Sequence, residues 1–203
     1  YRYSFDMLGE GALTRRDAAR YFQAYKDAIG AIGASLKAAG GAPSVFAAPS
    51  ISVKLSALHP RYEATKGKRV ETELLPKVLD LVKMARGYNL NFTIDAEEAD
   101  RLEISLDLIA AIVAHPVLDG WDGFGLAVQA YQKRGREVID WLIDLARLHN
   151  RRLMVRLVKG AYWDTEVKRA QERGLADYPV FSRKAATDLS YLACARRMLA
   201  ARD

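Results

Sequence analysis

The sequence predicts an α/β fold, part of a (β/α)8 TIM-like barrel, and three observations predict it. Helical and strand-like hydrophobic periods alternate along all 203 residues, as they do where helices wrap a parallel sheet. The unit recurs about every 30 to 40 residues without an internal sequence repeat, which is the spacing of βα units. About five units fit the length, against eight in a closed barrel of roughly 250 residues, so the C-terminal strands of such a barrel would be missing from this chain. An open doubly wound sheet is the alternative. Against it, Gly9-Glu10-Gly11 lacks the third glycine at the spacing a dinucleotide loop needs.

Tyr3 to Leu8 reads as the first strand. Thr14 with Asp17 three positions later resembles a capping box, and Ala18, Tyr21, Phe22, Tyr25, Ala28, Ile29, Ile32 and Leu36 follow at helical spacing. Gly40, Gly41 and Pro43 end that helix, and Ile51 to Leu58 reads as the second strand. Leu74, Leu75, Val78, Leu79 and Val82 form a helical stripe, with Gly87 as the predicted C-terminal cap before a strand at Asn91 to Asp95. The next helix runs from about Ala99 to His115, because Pro116 disfavours helical geometry in the residue before it. Phe124 to Gln129 is a strand, Val138, Ile139, Leu142, Leu145 and Leu148 mark a helix, and Leu153 to Val158 is the fifth strand. Two helical pieces follow: one near Thr165 to Arg173, and one capped by Ser182 with Leu189, Leu192, Ala193 and Leu199 as its buried stripe.

Composition excludes several classes. With 50% hydrophobic and 28% charged residues the chain has the make-up of a globular domain. Its longest apolar run, Leu108 to Ala114, is far below the roughly 20 residues of a membrane span. The lone Cys194 forms no internal disulfide, and no Cys/His spacing suits zinc, so an intracellular chain without structural metal is expected. The start at Tyr1 reads as a trimmed beginning and leaves an upstream signal segment open. The net charge of +6 collects late, from Arg151 to Arg197. A solvated face is the commonest meaning of such an excess; a phosphate-bearing ligand or nucleic acid is the sharper one.

Strand parity carries the chemistry. Side chains alternate faces along a strand, so Ser52, Lys54 and Ser56 share one side while Val53 and Leu55 take the other. Thr93 and Asp95 oppose Phe92 and Ile94; Gly125, Ala127 and Gln129 oppose Phe124, Leu126 and Val128; Met154 and Arg156 oppose Val155 and Leu157. In a barrel, Lys54, Asp95, Gln129 and Arg156 would converge in the lumen near the C-terminal strand ends, where barrel enzymes keep their active sites. The bland counterpart is an ion network that only neutralises itself, at a desolvation cost of several kcal/mol per ion. Lys54 or Lys159 as a Schiff-base lysine is a weaker possibility. Glu97 and Glu98 fit acidity at a helix start as well as acid/base chemistry.

The strings Phe5-Asp6-Met7-Leu8-Gly9-Glu10, Ser52-Val53-Lys54-Leu55-Ser56-Ala57-Leu58-His59-Pro60-Arg61-Tyr62, Phe92-Thr93-Ile94-Asp95-Ala96-Glu97-Glu98 and Arg156-Leu157-Val158-Lys159-Gly160-Ala161-Tyr162-Trp163-Asp164 resemble the proline dehydrogenase domain of the bacterial bifunctional proline utilization A family. The likeness runs through the whole chain, residues 1–203. It implies an FAD-bearing barrel in the cytoplasm that oxidises L-proline to Δ1-pyrroline-5-carboxylate. Electrons would pass to a membrane quinone during peripheral membrane contact, and the parent chain would carry an aldehyde dehydrogenase half.

The resemblance also implies roles. Lys54 would pair with the proline carboxylate, Asp95 would organise the site, and Tyr162 would touch substrate and cofactor. Arg156 would hydrogen-bond the flavin near N5, with Gln129 on the ring's polar edge. Ala127, Val158, Gly160, Ala161, Tyr162 and Trp163 would line the cofactor. Lys159, Arg183, Lys184 and Thr187 would approach its phosphates and adenosine side, and Glu10 would belong to a gate over the substrate pocket. Further family contacts come from later strands and an eighth helix beyond Asp203, so residues 1–203 alone are expected to bind FAD weakly and not to turn over. The alternative is a noncatalytic half-barrel acting as an interaction or regulatory module, which has no need of polar groups in its lumen. A nucleic-acid module lacks any helix-turn-helix, ribbon or stacking-aromatic pattern.

Overall fold

The computed structural model describes residues 2–7 and 11–201. Five strands, β1 (Ser4–Asp6), β2 (Ser50–Val53), β3 (Asn91–Ile94), β4 (Phe124–Gln129) and β5 (Met154–Val158), form one parallel sheet in chain order. Between and after them run α1 (Arg15–Ala38), α2 (Leu55–Leu58), α3 (Gly67–Gly87), α4 (Leu102–Val113), α5 (Gly135–Leu148), α6 (Trp163–Glu172) and α7 (Lys184–Ala200). Parallel neighbours with a helical crossover after each strand are the repeating unit of a β/α barrel.

Register explains why one face is apolar. Phe5, Ile51, Phe92 and Phe124 lie side by side, as do Val53, Ile94, Leu126 and Val155. The Phe92 and Phe124 rings stack at 6.4 Å. Against this face pack Tyr25 and Ile29 of α1, Leu74, Val78, Leu81 and Val82 of α3, Ile104, Leu108 and Ile112 of α4, and Val138 and Leu142 of α5, all in one buried cluster. Each fully buried aliphatic side chain contributes roughly 1.5–3 kcal/mol, so the outer layer supplies most of the cohesion. β4 and β5 approach so closely that a side chain on Gly125 would put its first carbon 1.9 Å from the Met154 carbonyl oxygen.

The Thr14–Asp17 capping box forms as expected: Asp17 N–H donates to Thr14 Oγ1 at 3.1 Å, and Thr14 N–H donates back to Asp17 Oδ2 at 3.0 Å. Four expectations are corrected. The second strand stops at Val53; Leu55–Leu58 is a short helix, so Ser56 is not a lumen strand position. Gly87 belongs to α3, and the left-handed residue is Asn89 at φ 55, where Leu90 N–H returns to the Ala85 carbonyl at 3.0 Å. Arg183, not Ser182, precedes α7 as its cap, with no side-chain bond. The α7 stripe is not buried: Leu189, Leu192 and Leu199 are exposed, Ala193 is half-buried, and Thr187 and Cys194 face inward. A helix facing the core with alanine, cysteine and threonine leaves its leucines outside, a reversal that a periodicity count cannot detect.

Candidate active site

The polar side of the sheet converges as parity predicts. Lys54 directly follows β2 and is still extended, Asp95 directly follows β3, and Arg156 lies in β5. Lys54 Nζ donates to Asp95 Oδ2 at 3.1 Å and to Asp6 at 3.2 Å. Arg156 donates through Nη2 to the other Asp95 oxygen and through Nη1 to Ser52 Oγ at 2.8 Å. The Lys54 and Asp95 side chains are 10% and 9% exposed, whereas Arg156 is 41% exposed. The array therefore has a buried base and an open cationic top.

Burial pulls the Lys54 ammonium toward neutrality, but hydrogen bonds and charge from Asp95 and Asp6 outweigh it, so its pKa lies above the ordinary 10.5. A nucleophilic Schiff-base lysine needs the opposite shift. The two carboxylates bonded to its Nζ favour an ammonium over the neutral amine of a Schiff-base lysine.

A second network ties the strand ends together. Glu97 is buried; its Oε1 accepts Ser56 N–H at 3.0 Å and its Oε2 accepts Arg101 Nη1 at 2.7 Å. Burial raises the Glu97 pKa against the pull of Ser56 and Arg101. Gln129, buried at the end of β4, donates to the Glu97 carbonyl at 2.9 Å and accepts Ala161 N–H at 3.0 Å. Its amide thus bridges the segments after β3 and β5, and it has one more N–H and lone pair for a further partner.

The segment after β5 opens outward. Val158 is half-buried, while Lys159, Gly160 and Ala161 are exposed. Gly160 sits at φ +147 over the Tyr131 ring, where a side-chain carbon would fall 2.3 Å from the ring. Tyr162 N–H donates to Tyr131 Oη at 3.3 Å, and the half-exposed Trp163 donates its indole N–H to the Phe181 carbonyl at 2.9 Å. Lys159 and Lys184 meet on one carboxylate, Asp188, at 2.5 and 2.6 Å. Arg183 is exposed beside them and Thr187 is buried in the first turn of α7. Ala127 lies buried between Asp95 and Arg156. Glu10 lies outside the described residues.

Sequence reasoning missed Asp6, Tyr131 and Asp188. Asp6 carried a usable signal, since Ser4 and Asp6 extend the polar parity row to β1 beside Ser50 and Ser52. Tyr131 and Asp188 had none, because their roles come from loop and helix packing.

An open parallel β/α sheet whose strand ends gather a lysine, an aspartate and an arginine defines a partial (β/α)8-barrel enzyme domain. The sequence model of proline dehydrogenase matches residues 1–203, and the chain belongs to that family. It is 57% identical over 200 residues to the bifunctional protein PutA of Klebsiella aerogenes, covering 98% of this chain and 15% of that protein. The bifunctional protein PutA of Rhizobium meliloti is 52% identical over 203 residues, 100% of this chain and 16% of its own length. A variant of Bradyrhizobium japonicum proline utilization A matches with a TM-score of 0.95 and 64% identity, over 100% of this chain and 20% of that one. Proline utilization A from Bdellovibrio bacteriovorus, inactivated by N-propargylglycine, keeps a TM-score of 0.90 at 25% identity, over 98% of this chain and 21% of its own. The chain spans about a sixth of the curated relatives it matches.

Proposed function

We propose that this chain is the substrate- and cofactor-binding part of an FAD-dependent proline dehydrogenase. The enzyme oxidises L-proline to Δ1-pyrroline-5-carboxylate, the first step of proline catabolism to glutamate, and passes the electrons to a membrane quinone. The observation that carries this reading is the Lys54–Asp95–Arg156 array at the strand ends of a chain in the proline dehydrogenase family.

Bound FAD supplies the two-electron acceptor for a hydride. The residues present fit that cofactor. Arg156 offers an exposed guanidinium for a polar ring edge, and Gly160 and Ala161 offer backbone without bulk. Lys159 and Lys184 already converge on one anionic group, as a diphosphate would require. Ala127, Gln129, Val158, Tyr162 and Trp163 would form the wall around the ring, with Arg183 and Thr187 toward the adenosine.

Lys54 would hold the proline carboxylate, and Tyr162 would close the substrate's other side. In the product the double bond joins nitrogen to the ring carbon remote from the carboxylate-bearing carbon, so the hydride leaves that remote carbon. Anchoring the carboxylate fixes which carbon faces the acceptor, and orientation of this kind supplies a large part of a rate enhancement. Asp95 keeps the two cations at a set spacing, one for substrate and one for cofactor.

The relatives are named as bifunctional proteins, which supports an aldehyde dehydrogenase half in the parent chain. No described helix is long and apolar enough to cross a membrane; the reading as a cytoplasmic enzyme that meets its quinone by peripheral contact rests on the family. Several late basic residues are already paired: Arg169 with Glu98, Arg173 with Asp100, and Arg197 with Asp140. Such pairing favours a solvated, self-neutralised face over a basic stripe for nucleic acid.

The test is an absorption spectrum of the full parent protein before and after anaerobic addition of L-proline. A flavin band that bleaches supports the reading. A flavin band that persists redirects the substrate to another amine or hydroxy acid, and absence of the band favours the noncatalytic half-barrel.

A further inference from the structure

The turn that carries Lys54 is gripped from two sides by groups outside the polar array. Tyr25, wholly buried on α1, brings its phenol oxygen to the Lys54 N–H at 3.2 Å. Two residues later the Ser56 N–H goes to Glu97 Oε1 at 3.0 Å, and Arg101 braces the same carboxylate at 2.7 Å. These N–H groups fall where β2 ends and α2 begins: Lys54 is extended at φ −93 and ψ 123, and Leu55 is already helical. The first N–H groups of a helix lack partners within it, and a buried N–H left unpaired is costly. The two acceptors therefore select the geometry of the junction, and with it the direction in which the Lys54 side chain leaves the backbone. Asp95 N–H donates to the Val53 carbonyl at 2.9 Å, so the same junction also registers Lys54 against its ion-pair partner.

Burial pushes the Tyr25 phenol up to about 12. It stays neutral across the working range, and its oxygen remains an acceptor. A phenylalanine would fill the same space equally well, so packing alone does not explain the hydroxyl.

We infer that Tyr25 and Glu97 are positioning residues for Lys54: neither needs to touch substrate, and together they aim the ammonium at the carboxylate it binds. The inference rests on the reading of Lys54 as the carboxylate-binding group.

The test uses the full-length parent holoenzyme. Tyr25→Phe removes one oxygen, Glu97→Ala removes the second acceptor, and Glu97→Gln keeps an acceptor at the same reach. KM and kcat for L-proline are measured, with binding of two probes: cyclopentanecarboxylate, which has the carboxylate and no nitrogen to oxidise, and pyrrolidine, which lacks the carboxylate and is titrated on the flavin-reduced enzyme so that it is not turned over. Tyr25→Phe and Glu97→Ala are expected to raise KM and weaken the carboxylate probe about tenfold, the scale of one hydrogen bond. Both should leave kcat within about twofold and pyrrolidine binding unchanged. Glu97→Gln should restore most of the loss, and Tyr25→Phe should add nothing in a Lys54→Ala background. Equal losses for both probes, or additive losses with Lys54→Ala, would overturn the inference in favour of general packing. Amide hydrogen exchange at residues 54–56 separates the two claims. If the unaltered protein binds neither proline nor the carboxylate probe, the reading of Lys54 fails. What then remains is the narrower claim that Tyr25 holds the Lys54 backbone, which locally faster exchange in Tyr25→Phe supports and unchanged exchange there overturns.

Discussion

Arg156 reaches across β4 to ion-pair with Asp95, two strands away. The strand it crosses offers only a methyl group there, because Ala127 pairs with Arg156 in the β4–β5 register and lies one residue beyond the Ile94–Leu126 pair. A longer side chain would fill the path. Ala127→Leu is expected to part the two charges and leave Asp95 holding Lys54 alone. Arg156 is 41% exposed and can turn to water, and Asp95 keeps Lys54, so the stability cost stays well below that of breaking a fully buried pair. The check is the rate of anaerobic flavin reduction by L-proline in the parent enzyme, expected to fall about 100-fold while the circular dichroism spectrum is kept.

Lys54 sets a pH dependence whose sign follows from its partners. Its pKa in the folded protein is raised above 10.5, with burial opposed by the hydrogen bonds and charge of Asp95 and Asp6. The ammonium's contribution to stability is therefore fully present below the unfolded value and is lost as pH rises through the folded value. Between about pH 7 and pH 10, KM for proline should show no break from Lys54, and in Asp95→Asn a break should move down toward the ordinary lysine range. Steady-state KM against pH, with and without Asp95→Asn, decides this. An unchanged profile in the variant would mean that Asp6 alone sustains the charge.

The site was more legible in the sequence than the helix that ends the chain, for physical reasons. Alternation in a strand is a local rule, so the positions of Thr93, Asp95, Ala127 and Arg156 on one face could be read from spacing and were found there. The α7 stripe failed because a leucine is informative only relative to the surface it meets, and Leu189, Leu192 and Leu199 face away from the five strands described. The turn at Ser56 was hidden for a related reason: Ser52 to Ser56 alternates like a strand, and the break after Val53 depends on acceptors contributed by Tyr25 and Glu97, far away in sequence.

Gly125 should tolerate no side chain. The obstacle is the Met154 carbonyl oxygen, 1.9 Å from where the first side-chain carbon would stand, and backbone in a paired strand cannot swing aside as a flexible side chain would. Gly125→Ala is expected to push β5 away from β4 and to destabilise the fold by about 3 kcal/mol or more. Urea unfolding of the parent protein measures this. Gly67→Ala is the control, since nothing lies within 4 Å of its side-chain position.

Lys159 and Lys184 converge on Asp188 although each is more than half exposed. Solvent screening makes such pairs weak contributors to stability, so their convergence matters more for what it can bind than for what it holds together. Hydrogen bonding to Asp188 raises the Lys159 pKa, and the same bond lowers that of Asp188, so this pair is charged near neutrality. An incoming diphosphate would compete with the aspartate for both ammonium groups. Lys159→Met should therefore weaken FAD retention about tenfold at low salt and less at high salt, because exposed charges are screened within about a Debye length. Asp188→Asn should act in the opposite direction, releasing both lysines and strengthening retention. Flavin release followed by fluorescence at two ionic strengths reads both effects. Loss of flavin in Asp188→Asn would instead mean that the aspartate is needed to hold the lysines in place for the phosphates.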